Sequence, residues 1–298
     1  MAEGNALKGV LLVMAAVFLF ALADTVGKHL VALYAAPLIL AARYVINLGL
    51  LSVVLGPSQG AALWRTQRTG LVVLRGLFLA AASITMMLAL RVMPLGETVA
   101  IIYLAPFLVM FMSGPLLGER ATLAGWIGAA VAFTGVLLIA RPGSGLDPVG
   151  VALCVLNAGL STGYHLLTRI LAKTESTNAL LFHTALVGTL VFCLLALGSL
   201  NGPLPQGWDV ALVVALGALA TVGHFLFTAA YREAPASLLA PVNYLHLVWA
   251  AILGWLVFDH APDGISLLGI FMIAGAGMAV AVQTQRARRS CALAIVPP

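Results

Sequence analysis

Charge is what this chain has least of. Asp, Glu, Lys and Arg make up 8% of its 298 residues, against roughly 25% in ordinary soluble domains. Apolar residues make up 62%, and the mean hydropathy is +1.09. A water-soluble globule is excluded. Cysteine is sparse too: Cys154, Cys193 and Cys291 show no paired spacing, so neither a disulfide framework nor a metal cluster is indicated. Small apolar side chains account for all three. Acid-rich motifs and histidine pairs of the HxxxH kind are missing, and the six histidines are scattered. That removes the usual apparatus of a membrane-embedded lipid- or prenyl-transferring enzyme, and with it any need for a metal or cofactor. The net charge of +5 lies in short loops and tails. It reports orientation in a bilayer and not nucleic-acid binding.

What remains is apolar chain in long runs. Runs of about 18 or more residues with few charges are transmembrane-helix candidates. Polar clusters, Pro and Gly divide the chain into ten: 9–31, 37–55, 70–91, 96–117, 122–140, 149–171, 178–198, 209–231, 237–258 and 264–284. Lipid offers no partner for backbone N–H and C=O, so each must be a helix or part of a closed barrel. Continuous apolar runs, in place of alternation, exclude the barrel. The first run, "GVLLVMAAVFLFALADTVG" after Lys8, is longer than a signal h-region and is followed by more, so it reads as helix one.

Short-loop Lys and Arg set the orientation. With the N-terminus inside, Lys8, Arg65, Arg68, Arg120, Arg169, Lys173, Arg232, Arg286, Arg288 and Arg289 are cytoplasmic, and Arg75 lies just inside span three. Only Lys28, Arg91 and Arg141 fall outside, with Arg43 a short way into span two. Both termini are then cytoplasmic, in a bacterial inner membrane.

The chain states one plan twice. "AIIYLAPFLVMFMSGPLLGER" (100–120) is echoed by "PVNYLHLVWAAILGWLVFDHA" (241–261), and "ALRVMP" (89–94) by "AYREAP" (230–235). One gap-free offset of 141 also puts Arg91 on Arg232, Pro94 on Pro235, Tyr103 on Tyr244, Gly128 on Gly269 and Lys28 on Arg169. Five spans per copy is an odd number, so the second copy enters the membrane from the opposite side. Inverted repeats of this kind are characteristic of secondary transporters. Two similar packings, one open inward and one outward, become nearly equal in energy when the halves can exchange conformations. The expected organisation is residues 1–141 as one five-helix repeat, 142–285 as its inverted copy, and 286–298 as a basic tail.

"PLLGERATLAGWIGAAVAFTGVLLIA" (115–140) and "ALRVMPLGETVAIIYLAPF" (89–107) resemble the helix four–five segment and the helix three–four junction of the EamA-type drug/metabolite transporter superfamily. Within it the chain looks most like the YddG-type amino-acid exporters of bacteria. The resemblance implies an all-α protein of ten transmembrane helices, two inverted five-helix bundles around a central cavity, exporting small metabolites. One departure is that His260 stands where Glu119 stands in the first half, so the "DHAPDG" loop is expected to pack differently.

Polar groups are costly in a bilayer and face the bundle interior by default. Tyr103 and Tyr244 fall about two turns from opposite ends of spans four and nine, as paired cavity-wall residues or gates on either side of the midplane; interfacial tyrosines are the plain alternative. Asn157, Ser161, Tyr164 and His165 in span six, His224 in span eight, and Asn243, His246 and Trp249 in span nine offer uncharged donors, acceptors and aromatic faces. That set suits a zwitterion with an apolar side chain, interhelical hydrogen bonding being the competing reading. Pro106 and Pro115 each remove a backbone donor from span four, as a hinge or a static kink. Asp24 and Arg43 form a possible charge pair at the outer mouth, against a snorkelling Arg43 and a solvated Asp24. No acidic residue is placed at the midplane, so uniport and proton exchange both stay open. Small residues at Gly125/Ala129, Gly128/Ala132, Gly275/Ala279 and Gly277/Ala281 mark spans five and ten as scaffold.

The expected partners are a small-molecule substrate and the lipid bilayer, with no nucleic acid. A monomer or a weak homodimer is open. Amino acids, aromatic or neutral, are the expected cargo; nucleobases and drug-like cations are the alternative, and a lipid-modifying enzyme is the alternative of another class.

Overall fold

The sequence resolves into helices alone among the residues described by the computed structural model, 6–117, 123–141, 145–172, 174–233, 239 and 242–294. In order they are α1 (Ala6–Leu33), α2 (Ala36–Gln59), α3 (Thr69–Val92), α4 (Leu95–Ile102), α5 (Ala105–Leu117), α6 (Leu123–Ile139), α7 (Pro148–Leu171), α8 (Thr177–Leu197), α9 (Trp208–Glu233), α10 (Leu245–Phe258) and α11 (Gly264–Ala294). Six of them are long and apolar enough to cross a membrane, and four shorter apolar helices accompany them. The ends follow local chemistry. Asp147 and Ser176 accept the backbone N–H of Gly150 and Ala179 and so start α7 and α8. Asp263 does the same with Ser266 N at the head of α11. That bond first, and Arg141 second, hold the Asp263 carboxyl down to about 2. Asp259 closes α10 in the left-handed region at φ 51°.

Packing follows the 141 offset. Exchanging the halves turns α1 into α7, α2 into α8, α3 into α9, α5 into α10, and α6 into α11, while α4 maps onto residues 236–243, of which 239, 242 and 243 are described. The contact between α1 and α9 then maps onto that between α7 and α3, and both exist. The α3–α8 contact likewise maps onto α9–α2, while α2–α8 and α6–α11 map onto themselves. Side chains repeat the rule: Gly76 lies against Val187, and their counterparts Gly217 and Ile46 lie against each other. Gly135 and Gly269 meet where α6 crosses α11, their small size letting the backbones approach. Of the small residues expected to form this scaffold, Gly128 lies against Val280 of α11, whereas Gly275 has open space around it and Gly277 packs on Tyr244. The all-helical fold with two inverted five-span halves is the observed one.

Two spans differ from the continuous helices expected. Span four is broken at Tyr103–Leu104 into α4 and α5. Pro106 sits in the first turn of α5, so it starts a half-helix instead of kinking the middle of a long one. Of Pro115 the structure describes only its place in α5. Span nine is broken at Tyr244, a turn residue between the helical pair Val242–Asn243 and α10. Pro241, in that run, lies outside the described residues. The breaks fall on residues related by the 141 offset.

Candidate functional site

The breaks bring backbone and side chains together at the centre of the bundle. Tyr103 caps α4 and Tyr244 caps α10, and their rings lie 5.5 Å apart between centroids. The two tyrosines thus meet: α4 stops at Tyr103 and α10 starts at Tyr244, so both rings turn into the same gap. Tyr103 Oη donates to the carbonyl oxygen of Asn243 at 3.0 Å and lies 3.2 Å from His246 Nδ1. A carbonyl freed by one broken helix is therefore satisfied by the side chain at the other break, as irregular backbone at membrane depth requires.

Behind this contact stands a carboxylate. His246 Nε2 lies 3.1 Å from Asp24 Oδ2, close enough for an ion pair but not aligned for a hydrogen bond. Their side chains are 12% and 19% exposed. Asp24 is nine residues from the end of α1, about 13 Å by helical rise. This corrects two expectations. Asp24 does not pair with Arg43, because α1 turns that face toward α10; Arg43 lies on α2, beside the Tyr44 ring at 5.7 Å. An acid does lie deep in the bundle, one turn along α1 from Phe20, whose ring lies tilted against His224 at 4.8 Å.

Tyr103, Tyr244, Asn243, Ser161 and His165 share the wall of one cavity of about 330 Å³, together with Pro106, Phe20 and Phe227. The Asn243 side-chain oxygen is buried there with no hydrogen-bond partner among the described residues. Tyr164 and His224 line a second cavity of about 250 Å³ beside α2. Tyr164 is held from behind by Arg75, whose guanidinium is 3% exposed and donates to Tyr164 Oη (2.7 Å), Thr168 Oγ1 (2.7 Å), Leu180 O (3.1 Å) and Thr184 Oγ1.

Two of the expected site residues serve packing. Asn157 is buried and donates to Ala82 O and, at 3.2 Å, to Thr85 Oγ1. It ties α7 to α3 and accepts from Ser161 Oγ at 3.1 Å, so it stands behind the Ser161 wall and does not line either of these two cavities. Trp249 stands edge-on to Phe18 at 4.9 Å, in an apolar cluster with Val13 and Val17. His246 stands behind the wall, against Tyr103 at 3.2 Å and the Phe20 ring at 6.4 Å. Four candidate positions escaped the sequence reading: Phe20, Asp24 beside His246, Arg43 as a cavity liner and Arg75. The spacing of Phe20 and Asp24, one turn apart on α1, was the available signal. No group of His, Cys, Asp and Glu able to hold a metal occurs among the described residues.

Comparison with known proteins gives the same architecture. The EamA-like transporter family matches residues 7–141 and again residues 148–282. A riboflavin transporter of Rhizobium johnstonii is 30% identical over 210 residues, 67% of this chain and 66% of that protein. The pseudopaline exporter CntI of Pseudomonas aeruginosa is 28% identical over 274 residues, 91% of this chain and 95% of that one. A protein of known crystal structure superposes with a TM-score of 0.66 at 21% identity, covering 94% and 98% of the two chains. The chain belongs to the EamA-like transporter family. It is an integral membrane protein that moves small metabolites, and not an enzyme. Neither relative is named as an amino-acid exporter, so the broader family, and not the YddG-type group, is what the match establishes.

Proposed function

We propose that this EamA-like transporter exports amino acids, neutral or aromatic, across the bacterial plasma membrane. Both termini are cytoplasmic in this reading, and the inverted halves alternate between two openings. The observation that carries the proposal is the cavity between the two helix breaks. Its volume of about 330 Å³ lies at the low end of the ~300–1,000 Å³ of small-molecule sites, which suits one compact solute. Tyr103, Tyr244 and Phe20 offer faces to an apolar side chain, and the unpartnered Asn243 Oδ1 offers an acceptor to an ammonium group.

Pro106 at the head of α5 and the break at Tyr244 supply the hinges.

One observation favours the second reading. The deep carboxylate that a cationic cargo needs is present as Asp24. Nucleobases and drug-like cations therefore stay in the test, as do riboflavin and pseudopaline, the cargoes for which the relatives are named. The experiment is uptake by purified protein in liposomes, with amino acids, purines, riboflavin and cationic dyes compared with and without a pH gradient. Transport of phenylalanine or leucine supports the proposal; failure to move any amino acid rejects it.

A further inference from the structure

The second cavity has a different chemistry. Arg43 is its charged wall residue, and it lies seven residues into α2, roughly 10 Å from the helix end at 1.5 Å per residue. An arginine at that depth normally pairs with an acid or with backbone carbonyls. Arg43 does neither. Among the described residues its guanidinium has no hydrogen-bond or ion-pair partner, and it lies over the Tyr44 ring at 5.7 Å from the centroid. Asn47, one helical turn further along the same face, also lines the cavity with its carboxamide unpartnered among the described residues. Across the cavity, Asn178 on α8 adds another carboxamide.

The surroundings keep the wall positive. Arg75 holds Tyr164 and Thr184, both wall residues, from the far side, and all its partners are hydroxyls and a carbonyl. Two guanidinium groups therefore flank this space, and no Asp or Glu is on its wall. Beyond Asn47 the lining turns apolar along Leu51, Leu79 and Phe225.

We infer that this cleft binds a small organic anion, its carboxylate on the fork of Arg43 with Asn47 donating beside it, and its apolar body along Phe225 and the leucines. A planar guanidinium with unused parallel donors matches a carboxylate in two-point fashion. The volume of about 250 Å³ holds a body of some ten heavy atoms and excludes a two-chain lipid, on the scale of ~300–1,000 Å³ for drug-sized ligands. The site is separate from the Tyr103–Tyr244 cavity. It stands on Arg43 and its surroundings, so amino-acid transport and anion binding can each fail without the other.

The test is calorimetric binding to the full chain in nanodiscs of phosphatidylcholine. The probes are 3-phenylpropionate, its uncharged isostere 3-phenylpropanamide and 3-phenylpropylamine. The acid is expected to bind at least about tenfold more tightly than the amide, and the amine not at all. Arg43→Gln is expected to erase the preference for acid over amide, and Asn47→Leu to reduce it several-fold; the second variant serves if the first does not fold. Repeating the titration in nanodiscs containing phosphatidylglycerol separates a metabolite from a lipid headgroup: undiminished binding of the acid supports the inference. Equal affinity for acid and amide, an acid preference that survives Arg43→Gln, or retention of phosphatidylglycerol with no binding of the acid would each overturn it.

Discussion

Tyr103 and Tyr244 occupy the same place in the two halves, 141 positions apart, and their rings touch at 5.5 Å between centroids. Each stands where a membrane-spanning helix stops and restarts. The duplication therefore converges on a single point, and the point is a gap in the helical hydrogen bonding. Discontinuous helices at a repeat interface are the usual way in which transporters place polar backbone at membrane depth.

Tyr103→Phe tests whether the bridge across the breaks matters. The hydroxyl that satisfies Asn243 O and faces His246 is lost, while the ring stays. Transport of whichever solute the liposome assay identifies is expected to fall by about tenfold with folded yield retained. A wild-type rate would remove this bond from the mechanism.

Gly277→Ala tests the seat of the other tyrosine. A Cβ at Gly277 would overlap the Tyr244 ring at Cζ and Oη, so the ring must move. Overpacking of this kind costs about 1–3 kcal/mol. The unfolding temperature in detergent is expected to drop, and the double variant Gly277→Ala/Tyr244→Ala to recover most of the loss relative to Tyr244→Ala alone. Additive losses would show that the two residues are not coupled.

Asp24→Asn keeps the shape of the side chain and removes its charge from the His246 contact. Uptake is expected to fall about tenfold or more, with unchanged stability. His246→Ala is expected to act in the same direction, and the double variant to be no worse than either single one. Unimpaired transport by Asp24→Asn would make the carboxylate a bystander.

Arg75→Gln is a structural prediction. The guanidinium joins α3 to α7 and α8 through four donors, and glutamine cannot reach all of these partners. Leaving buried acceptors unpaired costs about 1–3 kcal/mol each, so a fall in the unfolding temperature is expected. Wild-type stability would contradict this role.

Much of the fold was legible because a bilayer leaves few options. Scarce charge, ten apolar runs and the offset linking Gly, Pro, Arg and Tyr were enough to derive inverted five-helix halves. The breaks were half legible: Pro106 marked one, but the run around Tyr244 reads as continuous apolar chain, and its interruption is set by the fit against α4 and α11. Which polar residue faces a cavity was not legible. Asn157 and Ser161 are one turn apart on α7, yet one is used up by α3 and the other reaches the cavity wall. Rotation of a helix by a few tens of degrees decides between these roles, and hydropathy does not encode it. Asp24 and Arg43 were paired by depth alone; depth cannot say which neighbour a helix face meets.

The central claim is that the space between the two breaks opens to either side of the membrane in turn. Ser161, on the cavity wall, allows the most direct measurement: Ser161→Cys in a background lacking Cys154, Cys193 and Cys291, labelled by an impermeant maleimide in right-side-out and in inverted vesicles. The prediction is labelling from both sides, with saturating substrate raising one rate as it lowers the other. Labelling confined to one side, whatever the substrate, would contradict it.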